Sequence, residues 1–218
     1  MRLGPGEPAA GPWRVEELTA FVRSLAEPSG SPRVLAVDGR GGGGKSTLAA
    51  RLSALLAGSV VVHTDDVAWC HSRFGWDDLM VDGILVPLRS GRDVHFQPPA
   101  WAPRGRTGHI DVPAGTPTVI IEGVGASRRE VTPLIDAAIW VQSDFDRAQI
   151  RGIRRDILRD GLDPAAAERE WLEWQDEEVP FLLADRPWER AGFVVAGTPE
   201  LPHDPQTEVV TAPAPLGS

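Results

Sequence analysis

The sequence predicts an α/β domain whose five-stranded parallel sheet is covered by helices on both faces. Five short, continuous apolar runs are typical of strands buried on both faces, and segments of helical period lie between them. Strands that alternate with helices form parallel sheets. The 218 residues are 42% hydrophobic and 24% charged, close to the globular average, so the chain can bury one core. The predicted strands are residues 34–37, 60–62, 119–121, 138–141 and 193–195.

Segments of helical period precede the first predicted strand and fill the intervals between the others. The predicted helices are residues 13–26, 46–57, 77–89, 127–134, 144–160 and 164–183. Asp163 and Pro164 suit the N-cap and first turn of the last helix. Glycine, proline and alanine predict a flexible N-terminus over residues 1–12, and repeated prolines predict a flexible tail over residues 198–218. Residues 13–197 are then a single domain.

Charge and cysteine content exclude several classes of partner. The chain carries 22 basic and 31 acidic residues, a formal net charge of −9, which repels nucleic-acid backbones and anionic membrane surfaces. We therefore expect neither nucleic acid nor a membrane as a partner. The single cysteine, Cys70, cannot form an internal disulfide, and the sequence contains no leader-like segment or apolar run of about 18 residues. These features predict a cytoplasmic protein.

A glycine-rich motif directly follows the first predicted strand. Its sequence fits G-x-x-x-x-G-K-[ST] and runs into an apolar helix. Glycines let backbone N–H groups converge on phosphate oxygens, and the helix N-terminus adds partial positive charge. Lys45, the only lysine of the chain, would reach the β- and γ-phosphates, while Ser46 would bind Mg²⁺. The alternative is a flexible linker that contains Lys-Ser by chance. The predicted nucleotide-binding residues of this motif are Gly39, Arg40, Gly41, Gly42, Gly43, Gly44, Lys45, Ser46 and Thr47.

Acidic residues follow two other predicted strands at the sheet edge where ligands of parallel sheets bind. Asp65 and Asp66 come after the second strand, and Glu122 ends the third. We expect Asp65 to orient an incoming hydroxyl as the base, and Ser46, Asp65 and Glu122 to hold Mg²⁺. The alternative is that Asp65 and Asp66 cap a turn and that Glu122 is a surface charge. Asp38, just before the motif, suits a structural bond to the loop backbone.

Four arginines fall on one face of the predicted helix 144–160. Arg147, Arg151, Arg154 and Arg155 are spaced i, i+4, i+7 and i+8, and like charges at these spacings favour an anionic partner. The planar guanidinium can donate to two phosphate oxygens at once. We expect all four to bind nucleotide, with Arg151 and Arg155 catalytic. A solvated arginine face is the alternative. Isoleucines at 150, 153 and 157 form an adjacent stripe that predicts the core-facing side.

These motifs resemble the uridine kinase and phosphoribulokinase branch of P-loop kinases, including actinobacterial-type uridine kinase-like proteins. The match covers residues 33–197 and consists of residues 39–47, 64–67, 121–123 and the arginine-rich helix with residues 160–161. The resemblance implies a three-layer P-loop NTPase fold with a five-stranded parallel sheet and an α-helical lid over residues 144–162. It also implies ATP and Mg²⁺ as co-substrates, Asp65 as base and lid arginines over the γ-phosphate. Uridine kinases carry Tyr-Asp-Phe and His-x-Arg where this chain has residues 99–101 and 104–106, and no tyrosine occurs at all.

A long connection over residues 67–117 is the predicted acceptor-binding insert, because long connections in compact domains are usually lids or binding loops. Aromatic rings suit a planar or sugar-like ligand, and polar groups fix its hydroxyls. Each of these side chains also has a plain packing or solvent-facing alternative, and Trp171 and Trp174 of the last helix are expected to be core. The predicted substrate-binding residues are Asp66, Trp69, His71, Trp76, Trp101, Arg104 and Arg106.

The function that these observations predict is transfer of the γ-phosphoryl group of ATP to a hydroxyl of a small molecule, nucleoside-like or another metabolite. Lys45 with the arginine face would neutralise the charge that develops on the transferred group. Two alternatives remain open at this point. One is a P-loop ATPase switch that acts on a protein partner, and the other is a nucleotide-binding protein without kinase activity.

Overall fold

The computed structural model describes residues 1–25 and 32–214 of the protein. Its strands are, in chain order, β1 (Arg14–Glu17), β2 (Arg33–Gly39), β3 (Val60–His63), β4 (Val94–Phe96), β5 (Ile110–Val112), β6 (Thr118–Glu122), β7 (Ala137–Gln142), β8 (Phe193–Ala196) and β9 (Glu208–Ala212). Its α-helices are α1 (Leu18–Ser24), α2 (Lys45–Leu55), α3 (Thr64–Ala68), α4 (Asp77–Met80), α5 (Val86–Arg89), α6 (Phe145–Asp160) and α7 (Pro164–Asp185). A π-helical turn over Val81–Leu85 joins α4 to α5.

The main sheet has seven strands in the order β1-β9-β8-β7-β2-β6-β3, so the prediction of a five-stranded sheet is corrected. Its five parallel strands, β3, β6, β2, β7 and β8, fall at the five predicted runs. The two additional strands, β9 and β1, extend one edge in antiparallel pairing. A separate two-stranded hairpin of β4 and β5 lies within the segment 67–117. The protein is thus a mixed α/β structure with a mainly parallel sheet.

Both faces of the sheet are buried, which explains the continuous apolar runs. In β2, the side chains of Val34 and Ala36 pack on one face, whereas Leu35 and Val37 pack on the other. The first face is covered by residues 76–88 and by the β4–β5 hairpin, and the second by α1 and α2. A strand covered on both faces cannot alternate polar and apolar residues. Among the described residues, no helix is long and apolar enough to cross a membrane.

Parts of both terminal segments, which the sequence predicts to be flexible, pack against the rest of the domain. Within residues 1–12, Glu7 is 7% exposed and its carboxylate accepts from Trp140 Nε1 at 2.7 Å. In the tail, β9 buries Val209 and Val210 and pairs with β8 and β1. The prolines that suggested a mobile tail flank this short strand rather than interrupt it. Residues 215–218 of the predicted tail lie outside the described residues.

Two helix predictions and one prediction of a core-facing helix side are also corrected. The segment 13–26 begins with strand β1 and becomes helical only at Leu18, because β9 offers β1 an edge to pair with. The segment 127–134 contains only a 3₁₀ turn over Thr132–Leu134. On α6, Ile150 is 65% exposed, so it does not belong to a core-facing stripe. The remaining predicted helices, 46–57, 77–89, 144–160 and 164–183, correspond to helical segments of the structure.

Candidate nucleotide and acceptor site

The glycine-rich loop lies between β2 and α2, at the carboxyl end of the central strand. Asp38, which is fully buried, holds the start of this loop. Its carboxylate accepts from the backbone N–H of Gly39 at 2.7 Å and of Gly125 at 2.9 Å, and from Ser127 through N–H and Oγ–H. Burial raises the pKa of the Asp38 carboxyl, although these four hydrogen bonds oppose the rise. The structural bond expected of Asp38 is therefore present.

Glycine is required at two positions of the loop. Gly42 has φ of 68° and Gly44, the N-cap of α2, has φ of 103°, values that L side chains rarely adopt. A Cβ on Gly42 would also overlap the carbonyl of Ala148 in α6. The loop is therefore shaped by tight contact with α6 as well as by its own backbone.

Lys45 is buried at 7% exposure, and its Nζ donates to the carbonyl of Arg40 at 2.9 Å. The Arg40 side chain points away from the cavity that Lys45 lines. It is 2% exposed, its Nε donates to Glu7 at 3.2 Å and its Nη2 donates to the Pro5 carbonyl. The sequence predicts that Arg40 binds nucleotide, whereas its guanidinium binds Glu7 and Pro5 of the N-terminal segment.

Ser46 and Glu122 meet at the base of the site. Ser46 Oγ donates to Glu122 Oε1 at 3.1 Å, and His63 Nδ1 lies 2.7 Å from Glu122 Oε2. The hydrogen bond to Glu122 raises the pKa of the His63 imidazole. Burial opposes ionisation of Glu122, but the His63 bond and the charge of Lys45 outweigh it, so the pKa of Glu122 lies below its ordinary value. His63 is a site residue that the sequence reasoning did not single out; its place one residue before Thr64-Asp65 was the available signal.

A cavity of about 1010 Å³ extends from Ser46 and Glu122, and residues of α3, α6 and α7 also line it. The predicted site residues that line it are Gly41, Gly42, Gly43, Gly44, Lys45, Ser46, Thr47, Asp65, Trp69, Trp76, Glu122, Arg151 and Arg155. Asp65 reaches it from α3, directly after β3. The sheet order β2-β6-β3 is what brings the loop, Glu122 and Asp65 to one edge.

The arginine face of α6 is divided by the structure. Arg151 and Arg155 line the cavity, and Arg151 Nη1 donates to the Gly197 carbonyl at 2.8 Å. Burial lowers the pKa of the Arg151 guanidinium. Arg147 and Arg154 are exposed and are not among the cavity-lining residues. Two of the four predicted nucleotide-binding arginines therefore face the site, because the spacing i to i+8 spans more of the helix surface than the cavity covers.

Four tryptophans form what we call the aromatic wall, defined as Trp69, Trp76, Trp171 and Trp174. Trp69 and Trp76, two of the predicted substrate-binding residues, come from the segment after β3. Trp171 and Trp174 come from α7 and were expected to be core. Both are largely covered by protein, but each also lines the cavity, and each has a buried Nε1 without a hydrogen-bond partner.

The other predicted substrate-binding residues lie outside the cavity lining. Trp101 is 4% exposed, packs in the core and donates from Nε1 to the Asp66 carbonyl at 2.9 Å. Arg106 pairs with the Asp66 carboxylate and lies 3.6 Å from the centre of the Trp101 ring. Arg104 and His71 are exposed. Trp101, Arg106 and Asp66 thus contact one another, and a cation that is already paired and stacked has little left to offer an acceptor.

Part of the cavity lining comes from residues 199–205, which the sequence predicts to belong to a flexible tail. Pro199, His203 and Pro205 line the cavity, together with Arg51 of α2. Arg51 Nη2 donates to the Glu208 carbonyl at 2.6 Å and so connects α2 to the start of β9. No apolar period marks residues 199–205, so the sequence offered little signal for them.

The donor set at the base fits Mg²⁺ in its chemistry. Among the described residues, no group of three or more His, Cys, Asp or Glu side chains lies close enough to hold a metal ion. Mg²⁺ in phosphoryl-transfer sites is usually bound by one or two carboxylates, a hydroxyl, waters and substrate phosphates, rather than by a cage of protein ligands. The Ser46 hydroxyl and the Glu122 carboxylate provide this type of oxygen donor.

The sequence matches no protein-family model and no curated protein. The fold is similar to that of a solved protein provisionally assigned as a fructose transport system kinase, from Silicibacter sp. TM1040. That similarity has 20% sequence identity and a TM-score of 0.54, and covers 77% of this chain and 91% of that chain. A second structure, described as a possible uridine kinase from Bacillus stearothermophilus, is 20% identical, with a TM-score of 0.48, over 81% of this chain and 94% of that chain. The first likeness shows that this chain shares the mixed α/β fold of that structure, with its mainly parallel sheet and flanking helices.

Proposed function

We propose that this protein is an ATP- and Mg²⁺-dependent phosphotransferase that moves the γ-phosphoryl group to a hydroxyl of a small molecule. The observation that carries the proposal is the contact of Ser46 with Glu122 at 3.1 Å, at the base of a cavity that Asp65 also lines. A loop serine, an acid at the end of a neighbouring strand and a second acid facing the cavity are the groups that phosphoryl transfer to a hydroxyl requires. Similarity to a structure provisionally assigned as a kinase agrees with it.

The protein groups divide the reaction among them. The acceptor hydroxyl oxygen forms a bond to the γ-phosphorus, the bond to the β–γ bridging oxygen breaks, and ADP leaves with that electron pair. Asp65 orients the hydroxyl and receives its proton. Lys45, Arg151 and Arg155 stabilise the negative charge on the transferred group. Mg²⁺, when bound, supplies charge neutralisation between phosphate oxygens, and Ser46 and Glu122 are the residues that would hold it.

The acceptor binds, in this proposal, against the aromatic wall. Four indoles are among the residues that line the cavity, and such rings suit a ligand with a planar or sugar-like face. Glu170 and Glu173 also line the cavity, whereas Arg106 is paired with Asp66 and is not among the lining residues. The wall therefore favours hydroxyl acceptors with a broad face over compact anions such as small sugar phosphates.

The experiment that tests this function is ATP turnover with Mg²⁺ against a pooled library of nucleosides, vitamins, sugars, sugar phosphates and aminoglycosides. The matched variants are Asp65→Asn and Asp66→Asn, because Asp65 lines the cavity and its neighbour pairs with Arg106. We expect acceptor-dependent ADP release that falls by about 10²-fold or more in Asp65→Asn. Asp66→Asn should retain most of it.

Two other outcomes would count against the proposal. ADP release that is equal with and without acceptors would favour an ATPase that acts on a protein partner. Tight ATP binding with no turnover on any acceptor would favour a nucleotide-binding protein without kinase activity.

A further inference from the structure

Glu178 of α7 places a carboxylate on the phosphate loop. Its side chain is 1% exposed, and its Oε1 accepts a hydrogen bond from the backbone N–H of Gly41 at 2.6 Å. Among the described residues, no ion pair with an arginine, lysine or histidine neutralises this carboxylate. A buried carboxylate without a cationic partner is costly, so its position on one particular N–H calls for an explanation.

Gly41 belongs to the set of loop N–H groups that a G-x-x-x-x-G-K-S motif directs at phosphate oxygens. In this structure its donor is used by a protein carboxylate, and Lys45 Nζ is used by the Arg40 carbonyl at 2.9 Å. Two of the groups suited to a phosphate therefore have internal partners. An anionic phosphoryl oxygen that approaches Gly41 meets another anion already bound there.

A second donor lies beside the same glycine, and unlike the Gly41 N–H it has no hydrogen-bond partner. Trp174 Nε1 is buried with no hydrogen-bond partner, and it lies 2.9 Å from the point that a Cβ on Gly41 would occupy. Glu178 Oε1 lies 3.3 Å from that point. An unsatisfied buried donor is unfavourable, so Trp174 gains when an acceptor oxygen arrives. The loop N–H and the indole N–H would then serve one incoming anion.

Helix α7 has a weak point close to Glu178. Pro180 lies inside the helix and has no N–H for the i→i−4 bond, which lowers the cost of a local bend. The same helix carries Trp171 and Trp174 of the aromatic wall. Displacement of Glu178 from the loop would therefore also move two residues of the acceptor side.

We infer that Glu178 is a displaceable anion on the phosphate loop, whose carboxylate competes with nucleotide phosphates for the Gly41 N–H and whose release moves α7 against the acceptor side of the cavity. The inference rests on the proposed function in one respect, that the loop binds a nucleotide. It adds a residue that lowers the affinity for nucleotide and connects the two halves of the site.

Binding calorimetry with Glu178→Gln tests this inference without any need for turnover. Glutamine keeps the shape and the accepting oxygen but removes the charge. We expect the β,γ-imido analogue of ATP with Mg²⁺ to bind about tenfold more tightly than to the wild type, ADP to gain less and AMP least. The control is Glu168→Gln, an exposed acid on the same helix, which should leave all three affinities within about twofold.

Tryptophan fluorescence supplies a second readout that a purely structural role of Glu178 would not change. We expect the ATP analogue to alter the emission of the wild type and this change to shrink in Trp174→Phe. The inference is overturned if Glu178→Gln binds the analogue no more tightly than the wild type, or if Glu168→Gln gains equally. It is also overturned if the fluorescence change persists in full in Trp174→Phe. Absence of nucleotide binding in every variant, with normal thermal melts, would instead overturn the proposed function itself.

Discussion

The two sides of the cavity are built in different ways. The phosphate side consists of consecutive residues of one loop, completed by Glu122 from the adjacent strand β6. The aromatic wall joins Trp69 and Trp76 to two residues of α7 about a hundred positions later. A contiguous motif fixes its own geometry through glycine conformations and backbone donors, whereas a wall of distant segments depends on how the whole chain packs. The first kind of site is visible in a sequence, and the second is visible mainly in a structure.

Removal of the loop lysine should have the largest effect on the phosphate side. Lys45→Met keeps the length and apolar stem of the side chain but removes the charge that we propose stabilises the transferred phosphoryl group. We expect kcat/KM for ATP-dependent phosphorylation to fall by about 10²–10³-fold, in steady-state assays with the acceptor identified from the library.

The matched control removes a cation that does not line the cavity. Arg154→Met on α6 should keep kcat/KM within about threefold, because Arg154 is exposed and only Arg151 and Arg155 of its face line the cavity. Equal losses in both variants would show that the net positive charge near α6 matters rather than the loop lysine.

Much of the phosphate side follows from the sequence in physical terms. The strand before the motif had to be buried on both faces because Val34 to Val37 are all apolar, and such strands pair in parallel under helices. Ligands then lie beyond their carboxyl ends, where Glu122 and Asp65 are found. The orientation of the Arg40 side chain was not predictable, because its partner Glu7 lies in a segment without any periodic pattern.

The second prediction concerns the anchor of the phosphate side. Asp38→Asn keeps one accepting oxygen but turns an N–H₂ group toward N–H and O–H donors, whichever way the amide is rotated. We expect the free energy of unfolding to fall by about 2–4 kcal/mol in urea titrations, since buried donors lose their acceptor. Asp93→Asn, at an exposed position, should change it by less than about 0.5 kcal/mol. A loss in Asp38→Asn no larger than that of the control would rule out Asp38 as the anchor of the loop.

The aromatic wall shows why the acceptor side was harder to predict. The segment 67–117 has the composition of a binding loop, but Trp101 and Arg106 stack on each other and pair with Asp66. Trp171 and Trp174 have the spacing of core residues, and they do pack, yet the cavity reaches their exposed edges. Spacing on a helix tells which residues share a face, but not which neighbouring element leaves that face partly open.

The third prediction separates the aromatic wall from the group formed by Trp101, Arg106 and Asp66. Trp69→Ala should raise KM for the acceptor by about three- to tenfold, through loss of one stacking surface, and leave KM for ATP within about twofold. Trp101→Phe should lower thermal stability, because it removes the hydrogen bond to the Asp66 carbonyl, and leave both KM values unchanged. The reverse pattern, with acceptor KM responding to Trp101 alone, would place the acceptor beside Trp101 and Arg106 instead.

The smallest predicted effect concerns α6, the helix that touches both sides. Its Ala148 carbonyl packs against Gly42 of the loop, and a Cβ on Gly152 would overlap the ring of Trp171. The helix is capped by Asp144, whose carboxylate accepts from Arg147 N–H at 3.0 Å and from Arg2 N–H at 2.7 Å. These two backbone bonds lower the pKa of the Asp144 carboxyl from its ordinary value of 3.8. The stabilisation is therefore complete above that ordinary value and is lost as pH falls through the lowered pKa.

Asp144→Ala should accordingly lower the free energy of unfolding by about 1 kcal/mol at neutral pH, and the difference from the wild type should shrink in acid. Urea titrations at neutral pH and at several values below about pH 4 measure both parts of this expectation. Asp146→Ala, which removes an exposed acid of the same turn, should cost less at neutral pH, because Asp146 forms an exposed ion pair with the side chain of Arg2. A difference for Asp144→Ala that stays constant into acid would mean that the cap works through packing rather than charge. In that case α6 would hold the loop and the wall together by contact alone, independently of the N-terminal segment.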